Sequence, residues 1–409
     1  MKYGLIGEKL SHSFSAIIHP KIATYKYELN EIPRDKLESF MLSRDFCGIN
    51  VTIPYKNDVI KYLDVVEENA FKIGAVNTIV NKDGKLFGYN TDYLGLLASI
   101  KREFHDLTGK KALILGDGAT SRTARAVLET LNAYPIYNVS RHPSGDQISY
   151  IAAMNEYSDA EIIINATPAG MYPNTDSSAI SLENFNNLKL VVDVVYNPIK
   201  TNLVIEAESK GVTAFGGMYM LVAQAVFAAG YFTQQDFSTE LIDKIYDELF
   251  NEKQNIVLIG MPSCGKTTVG KELSKLTNKK FIDTDELISE RAGMPTHQII
   301  SDLSEEFFRK LECEIIAEVS LENNAIISTG GGAILNYENI RRLKHNGVIV
   351  FLDRNIEELV PTHDRPLSSS KEDIIKRYNE RIHLYNLYSD KKVNVISPEI
   401  TAKEILRNL

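Results

Sequence analysis

Cysteine is scarce in this chain and basic charge is outnumbered. Three cysteines occur in 409 residues, at positions 47, 264 and 313. Their odd number and wide spacing, with no C-x-x-C pair, exclude a disulfide framework and a cysteine zinc site and fit a reducing cytoplasm. Lys and Arg number 45 against 54 Asp and Glu, a net charge of −9. That balance disfavours broad contact with nucleic acid or an anionic membrane, while a local basic pocket for a small anion stays open. Long apolar runs are also missing. The first residues are too briefly apolar for a signal peptide. The most lipid-like stretch, 218–232, is too short to span a bilayer and carries Gln224, so a buried helix is expected there. No 20–50-residue repeat and no low-complexity segment occurs. What is present is an ordinary globular mixture, 44% hydrophobic and 24% charged, of a length for two or three domains.

The strongest local signal is Gly260-Met261-Pro262-Ser263-Cys264-Gly265-Lys266-Thr267, which reads G-x-x-x-x-G-K-T after the apolar run 256–259. Glycines let backbone N–H groups turn toward a phosphate chain, Lys266 reaches the outer phosphates, and the Thr267 hydroxyl suits Mg²⁺. A helix expected from about Lys266 points its positive end at the same anion. Gly260, Ser263, Cys264, Gly265, Lys266, Thr267 and Thr268 are therefore candidate nucleotide-phosphate-binding residues. A second glycine turn, Gly116-Asp117-Gly118-Ala119-Thr120-Ser121, follows the apolar strand 112–115 and precedes a helix over 122–131. It is a G-x-G-x-x-S variant of a dinucleotide-binding turn. About twenty residues on, the next strand ends in Ser140-Arg141-His142, which suits a ribose 2′-phosphate better than a free 2′-hydroxyl and favours NADP.

Strand–helix alternation from residue 110 onward implies parallel sheets with helices on both faces. The first hundred residues mix short strands, at 3–7 and 48–53, with a helix expected over 58–68. A closing helix is expected over 236–250, and the polar stretch 251–255 is taken as the domain boundary. After it, strands are expected at 256–259, 280–282, 325–328 and 348–352. The fold class is thus α/β throughout; the family resemblances of its motifs imply a division into a substrate-binding domain (1–105 with 218–250), a Rossmann domain (106–217) and a P-loop domain of the NMP-kinase type (255–409).

Further clusters carry suitable groups: Ser11-His12-Ser13-Phe14-Ser15, Asn50 through Lys56, Gly74 through Thr78, and Asn90-Thr91-Asp92, the last two read as polar loop segments. With S-H-S-x-S, N-V-T-I-P-Y-K, G-A-V-N-T, N-T-D, G-D-G-A-T-S-R, I-N-A-T-P-A-G-M and G-G-M-Y-M-L-V-A-Q-A in this order, residues 1–250 resemble the shikimate dehydrogenase family. The resemblance implies NADP-dependent reduction of a ring ketone, 3-dehydroshikimate, to shikimate. It assigns substrate binding to Ser13, Ser15, Thr52, Asn77, Tyr196 and Gln224, and catalysis to Lys56 and Asp92. It assigns NADP(H) to Gly116, Gly118, Ala119, Thr120, Ser121, Ser140, Arg141, Thr167 and Gly217. Hydride addition to a carbonyl builds charge on oxygen, and a lysine beside a carboxylate can supply the proton it needs. Two positions depart from the family pattern: Asp117 inside the glycine turn, and Tyr93, expected to reshape the pocket wall.

In the second half, Asp283 and Asp285 end a strand, Arg309 and Glu312 share a helical face, Gly330-Gly331-Gly332 follows a strand, and Arg365 and Arg381 lie beyond. In this order the segments resemble shikimate kinase over about 255–409. The resemblance implies MgATP-dependent phosphorylation of shikimate, with catalysis by Lys266, Asp285 and a lid residue, Arg365. Asp285, Arg309, Gly331, Gly332 and Arg381 would hold shikimate, and Thr267 and Asp283 the Mg²⁺. Here the departures are a short lid at 358–370, Ser304 in place of a glycine, and Ile382-His383 after Arg381. The product implied for the first half is the acceptor implied for the second, so a bifunctional enzyme of aromatic biosynthesis is expected. The rival readings are an NAD-using quinate/shikimate dehydrogenase and a nucleotide-sensing P-loop module without transfer activity.

Overall fold

The computed structural model describes residues 2–10, 14–359 and 370–409. The chain divides into two compact units, Met1–Leu249 and Phe250–Leu409. The first unit contains two sheets. One is built from β1 (Tyr3–Gly7), β2 (Tyr27–Glu31), β3 (Gly48–Val51), β4 (Val65–Val66), β5 (Thr78–Lys82) and β6 (Lys85–Tyr89), in the order β2-β1-β3-β5-β6-β4. It is mixed: β1 pairs parallel with β2 and β3, whereas β5 is antiparallel to β3 and β6. The segment 58–68 is not the helix expected. The Asp64 carboxylate accepts the Leu86 N–H at 2.7 Å, and the Glu67 N–H reaches the Gly88 carbonyl. These bonds draw the β-branched pair Val65-Val66 onto the sheet edge as β4, parallel to β6. Helix resumes only at Glu68, where the Glu67 side chain caps by accepting the Ala70 N–H.

The second sheet is wholly parallel: β7 (Ala112–Leu115), β8 (Ile136–Ser140), β9 (Ile148–Ser149), β10 (Ile162–Asn165), β11 (Leu190–Asp193) and β12 (Thr213–Phe215), ordered β12-β11-β10-β7-β8-β9. Alternate residues serve two cores. Ala112, Ile114, Ile162 and Ile164 face one, while Leu113, Leu115, Ile163 and Val191 face the other. A strand covered on both faces reads as an unbroken apolar run, which is why these were legible. Each such leucine, isoleucine or valine contributes roughly 1.5–3 kcal/mol on burial. The strand order reverses between β7 and β10, so the turns after these two strands flank the crevice where open α/β sheets take ligands.

The second unit has one parallel sheet: β13 (Asn255–Ile259), β14 (Lys280–Asp283), β15 (Ala325–Ser328), β16 (Gly347–Asp353) and β17 (Lys391–Asn394), ordered β14-β15-β13-β16-β17. The stretch 251–255 is not an irregular linker. The helix Thr239–Lys253 runs through most of it, and β13 begins two residues after that helix ends. Glu252 and Lys253 are good helix formers, so polarity alone did not break the helix. The expected buried helix is present as Met218–Thr233. Among the described residues no helix is long and apolar enough to cross a membrane.

Candidate active sites

In the first unit a cleft of about 690 Å³ is lined by Ser15, Thr52, Lys56, Asn77, Asp92, Tyr196 and Gln224, together with Thr120 and Gly217 of the dinucleotide side. Ser13 lies outside the described residues. Tyr55 is fully buried and anchors the turn after β3, with its hydroxyl donating to the Ile32 carbonyl. The neighbouring Lys56 lines the cleft, where its ammonium lies 2.6 Å from Asp92 Oδ2. Both side chains are about one-fifth exposed, at 19% and 18%. Asn90-Thr91-Asp92 is not loop. Asn90 caps the helix Thr91–Glu103 by accepting the Tyr93 N–H, which sets Asp92 in the first turn. Gly95 lets this helix approach Met218–Thr233 closely: a Cβ there would lie 2.7 Å from the Met220 carbonyl. Asp92 and Gln224 are thereby brought to one cleft.

Asn77 is buried, and its side-chain oxygen accepts the Thr91 N–H at 2.7 Å. Asn50 donates to the Asn77 carbonyl and to Thr78 Oγ1, and itself accepts from the Tyr27 hydroxyl at 2.7 Å. Thr78 and Thr91 share a further hydrogen bond of 2.9 Å. These supports were missed as functional positions. Asn50 carried a signal, opening the segment that ends in Lys56, but Tyr27 is distant in sequence and carried none. Tyr93 does not form the cleft wall as expected. It is buried in the core beside the second sheet, with its hydroxyl on Thr130 Oγ1.

In the dinucleotide turn, Gly116 has φ 112° and abuts Thr167 and Ala166, so glycine is required there. Among the described residues, nothing beyond its chain neighbours lies within 4 Å of a Cβ built on Gly118, the N-cap of the helix Ala119–Thr130. That open cradle at a helix N-terminus fits a pyrophosphate. Ser121 differs from expectation. Its hydroxyl is buried, donating to the Gly116 carbonyl and accepting from Asn138, so its side chain supports the turn. Ser140 is also buried and donates to Asp117 Oδ2 at 3.1 Å, while Arg141 is exposed. Thr167 is held by Asn165, which in turn donates to the buried Asp193. Burial pushes the Asp193 carboxyl up to about 6, against hydrogen bonds from Thr201, Val195 and Asn165.

In the second unit the turn after β13 is the phosphate loop. Gly260 and Gly265 have φ of 152° and 105°. A Cβ on Gly260 would meet the Leu352 carbonyl at 2.7 Å. Lys266 is buried and donates to the Gly260 and Met261 carbonyls at 2.9 Å each. Ser263, Gly265, Thr267 and Thr268 line a cleft of about 780 Å³. Cys264 differs: its side chain is fully buried and its N–H is spent on the Met261 carbonyl, so it shapes the loop. Thr267 Oγ1 lies 2.8 Å from Asp283 Oδ2. A hydroxyl and one carboxylate are a fitting donor set for a magnesium ion that keeps phosphates and waters as its other ligands. Among the described residues no cluster of three or more His, Cys, Asp or Glu could hold a metal alone.

Asp283 also caps the helix Thr284–Ala292 by accepting the Asp285 N–H, placing Asp285 at the cleft. The glycine triplet packs against the remaining candidates. A Cβ on Gly330 would lie 2.8 Å from both Asp285 Oδ1 and Glu312 Oε1, and one on Gly331 would strike Pro262. At Gly332 it would lie 2.4 Å from the Arg309 guanidinium, so this glycine makes room for a side chain of the protein itself. Arg309 pairs with Glu312 at 2.8 Å and with Glu305 at 3.1 Å. Glu312 is 1% exposed, and burial raises its carboxyl while Arg309 draws it back. Arg381 is buried and donates to the Gly331 carbonyl, which also accepts from the Tyr385 hydroxyl at 2.6 Å. Tyr385 was not foreseen. Ser304 caps the helix Glu305–Val319, a role serine performs well. Arg365 and most of the expected lid lie outside the described residues.

By class, then, the molecule joins a dinucleotide-dependent oxidoreductase fold to a P-loop phosphotransferase fold. The family model for the shikimate dehydrogenase substrate binding domain matches residues 5–79, and that for shikimate kinase matches 262–409. Shikimate dehydrogenase (NADP(+)) of Clostridium perfringens is 38% identical over 266 residues, covering 60% of this chain and 97% of the relative. The enzyme of the same name from Clostridium beijerinckii is 36% identical, covering 61% and 98%. A chorismate mutase/shikimate 5-dehydrogenase fusion protein from Clostridium acetobutylicum superposes with a TM-score of 0.57 at 36% identity, covering 60% of this chain and 96% of that one. Shikimate 5-dehydrogenase from Thermus thermophilus, solved with NADP(H) and shikimate, gives 0.55 at 28% identity, covering 61% and 99%. The chain belongs to the shikimate dehydrogenase family and carries a shikimate kinase domain after it. NADP-dependent shikimate dehydrogenase and shikimate kinase are the two activities this combination supports, with NADP and ATP as their nucleotides.

Proposed function

We propose that residues 1–249 reduce 3-dehydroshikimate and that 250–409 phosphorylate the shikimate formed, with the residue roles that follow. NADPH, when bound, supplies the hydride. Lys56 lies beside the ketone oxygen and donates the proton that completes the alcohol, and Asp92 holds the ammonium in place. The observation that carries this is the 2.6 Å Lys56–Asp92 pair inside the cleft. Ser15, Thr52, Asn77, Tyr196 and Gln224 supply the hydrogen bonds that orient a hydroxylated ring acid. Ser13 joins them on the strength of its motif alone.

In the second site Asp285 accepts the hydrogen of the attacking hydroxyl. Arg309 and Arg381 hold the ring carboxylate, a planar anion suited to guanidinium forks. Lys266 and Arg365 neutralise charge on the transferring phosphoryl group, and the γ-phosphorus–oxygen bond to ADP breaks as the new one to the substrate oxygen forms. Thr267 and Asp283 are the protein's ligands for Mg²⁺. The cytoplasm, where both nucleotides are available, is the proposed location.

Purified protein given 3-dehydroshikimate, NADPH and MgATP should consume one NADPH and release one ADP per shikimate 3-phosphate formed. NADPH loss without ADP release would leave the second unit as a nucleotide-sensing module. Faster turnover with NAD and quinate would favour the degradative dehydrogenase instead.

A further inference from the structure

The end of β8 is where dinucleotide-binding folds ordinarily present the acidic side chain that takes the ribose 2′-hydroxyl. Here that position is Ser140, and the next residue is the exposed Arg141. A carboxylate is nevertheless delivered to the same place from the other strand. Asp117, in the turn after β7, is exposed, and its Oδ2 accepts the buried Ser140 hydroxyl at 3.1 Å. Ser140 Oγ is in turn fixed by the His142 N–H at 3.2 Å. The phenol of Tyr150 lies in the field of both charges: burial raises it, with Arg141 drawing it down and Asp117 pushing it up. One small region thus holds a carboxylate that suits a free ribose hydroxyl and a guanidinium that suits a phosphate.

We infer that Asp117 is a specificity-determining residue of the dehydrogenase. Held by Ser140, its carboxylate occupies the adenosine-ribose end of the dinucleotide site, accepts the 2′-hydroxyl of a non-phosphorylated dinucleotide, and repels a 2′-phosphate. It opposes Arg141 and narrows the enzyme's preference for NADP(H) over NAD(H). The inference rests on reading the turn 116–121 as the dinucleotide site.

Equilibrium binding of two fragments tests it without turnover. Adenosine 2′,5′-bisphosphate carries the 2′-phosphate and 5′-AMP lacks it, and competitive displacement of fluorescent NADPH from the full chain, a signal the kinase site does not contribute to, gives an affinity for each. In Asp117→Asn the ratio of affinities should move toward the bisphosphate by about three- to tenfold, and this gain should shrink as salt rises. Arg141→Ala should move the ratio the other way. The same ordering should appear in NADPH and NADH fluorescence titrations, with Asp117→Ala as a second variant. An unchanged ratio overturns the proposal. Equal tightening of both fragments also overturns it, because the carboxylate would then be acting on the 5′-phosphate they share. If neither fragment displaces NADPH from the wild-type chain, the assignment of the turn itself fails, a result distinct from the other two.

Discussion

The two glycine turns solve one problem in different ways. Each joins the carboxyl end of a central parallel strand to a helix N-terminus, Gly118 leading into Ala119–Thr130 and Gly265 into Lys266–Thr277. The turn after β13 adds a buried cation, Lys266, fixed by two carbonyls of its own loop. The turn after β7 has no basic residue between Gly116 and Ser121 and carries Asp117 instead. In the first case a phosphoryl group must leave one oxygen for another, and charge placed where it develops lowers the barrier. In the second the pyrophosphate is only a handle, and helix N–H groups suffice to hold it.

The sharpest way to break that contrast is Lys266→Ala. Kinase turnover should fall on the order of 10⁴-fold, with NADPH oxidation unchanged; a kinase assay retaining a tenth of its rate would place the needed charge elsewhere. Lys56→Ala should do the reverse. Dehydrogenase kcat should fall about 10³-fold, within the range for a lost proton donor, with ADP release from added shikimate intact. Gly332→Ala probes the acceptor side of the second site. Its Cβ would displace the Arg309 guanidinium, so KM for shikimate should rise about tenfold while KM for ATP stays near its starting value. The smallest effect concerns neither turn directly. Asp193 is raised in the folded state to about 6 from an ordinary 3.8, so its contribution to stability is complete below about pH 4 and is lost as pH rises to about 6. Carboxyl carbon NMR should find that midpoint. Denaturant melts should show wild type losing at most about 3 kcal/mol relative to Asp193→Asn across the same interval.

Much of this molecule was readable where burial is two-sided or a loop has only one workable chemistry. The central strands β7 and β15 match their expected bounds residue for residue, because both faces are covered and the only polar residue, Ser328, stands at the end of β15. The phosphate loop was legible because its glycines, lysine and threonine are each fixed by a separate requirement. Residues 58–68 misled because helical spacing competes there with long-range bonds from Asp64 and Glu67 to β6, which no local pattern reports. Within motifs, side-chain direction was invisible. Ser121 and Cys264 turn inward to brace their loops, and Tyr93 turns into the core. Gly332 looked like an opening for ligand but is the seat of Arg309. The network of Asn165, Asp193 and Thr201 joins three distant segments; Asn165 lay within I-N-A-T-P-A-G-M, but nothing in the sequence tied it to Asp193 or Thr201.

The helix Thr239–Lys253 has a practical bearing on how this chain can be dissected. Its last residues and Gln254 belong to the second unit and supply acceptors within it: Lys253 O takes the Asn324 N–H at 3.1 Å, and Asn251 O and Gln254 O take the Lys279 ammonium at 2.6 and 2.9 Å. A fragment starting at Asn255, where composition suggests cutting, would strip a backbone donor of its partner and leave a half-sheltered cation only the Asn324 side-chain oxygen of its three acceptors. One begun a few turns earlier keeps that scaffold whole.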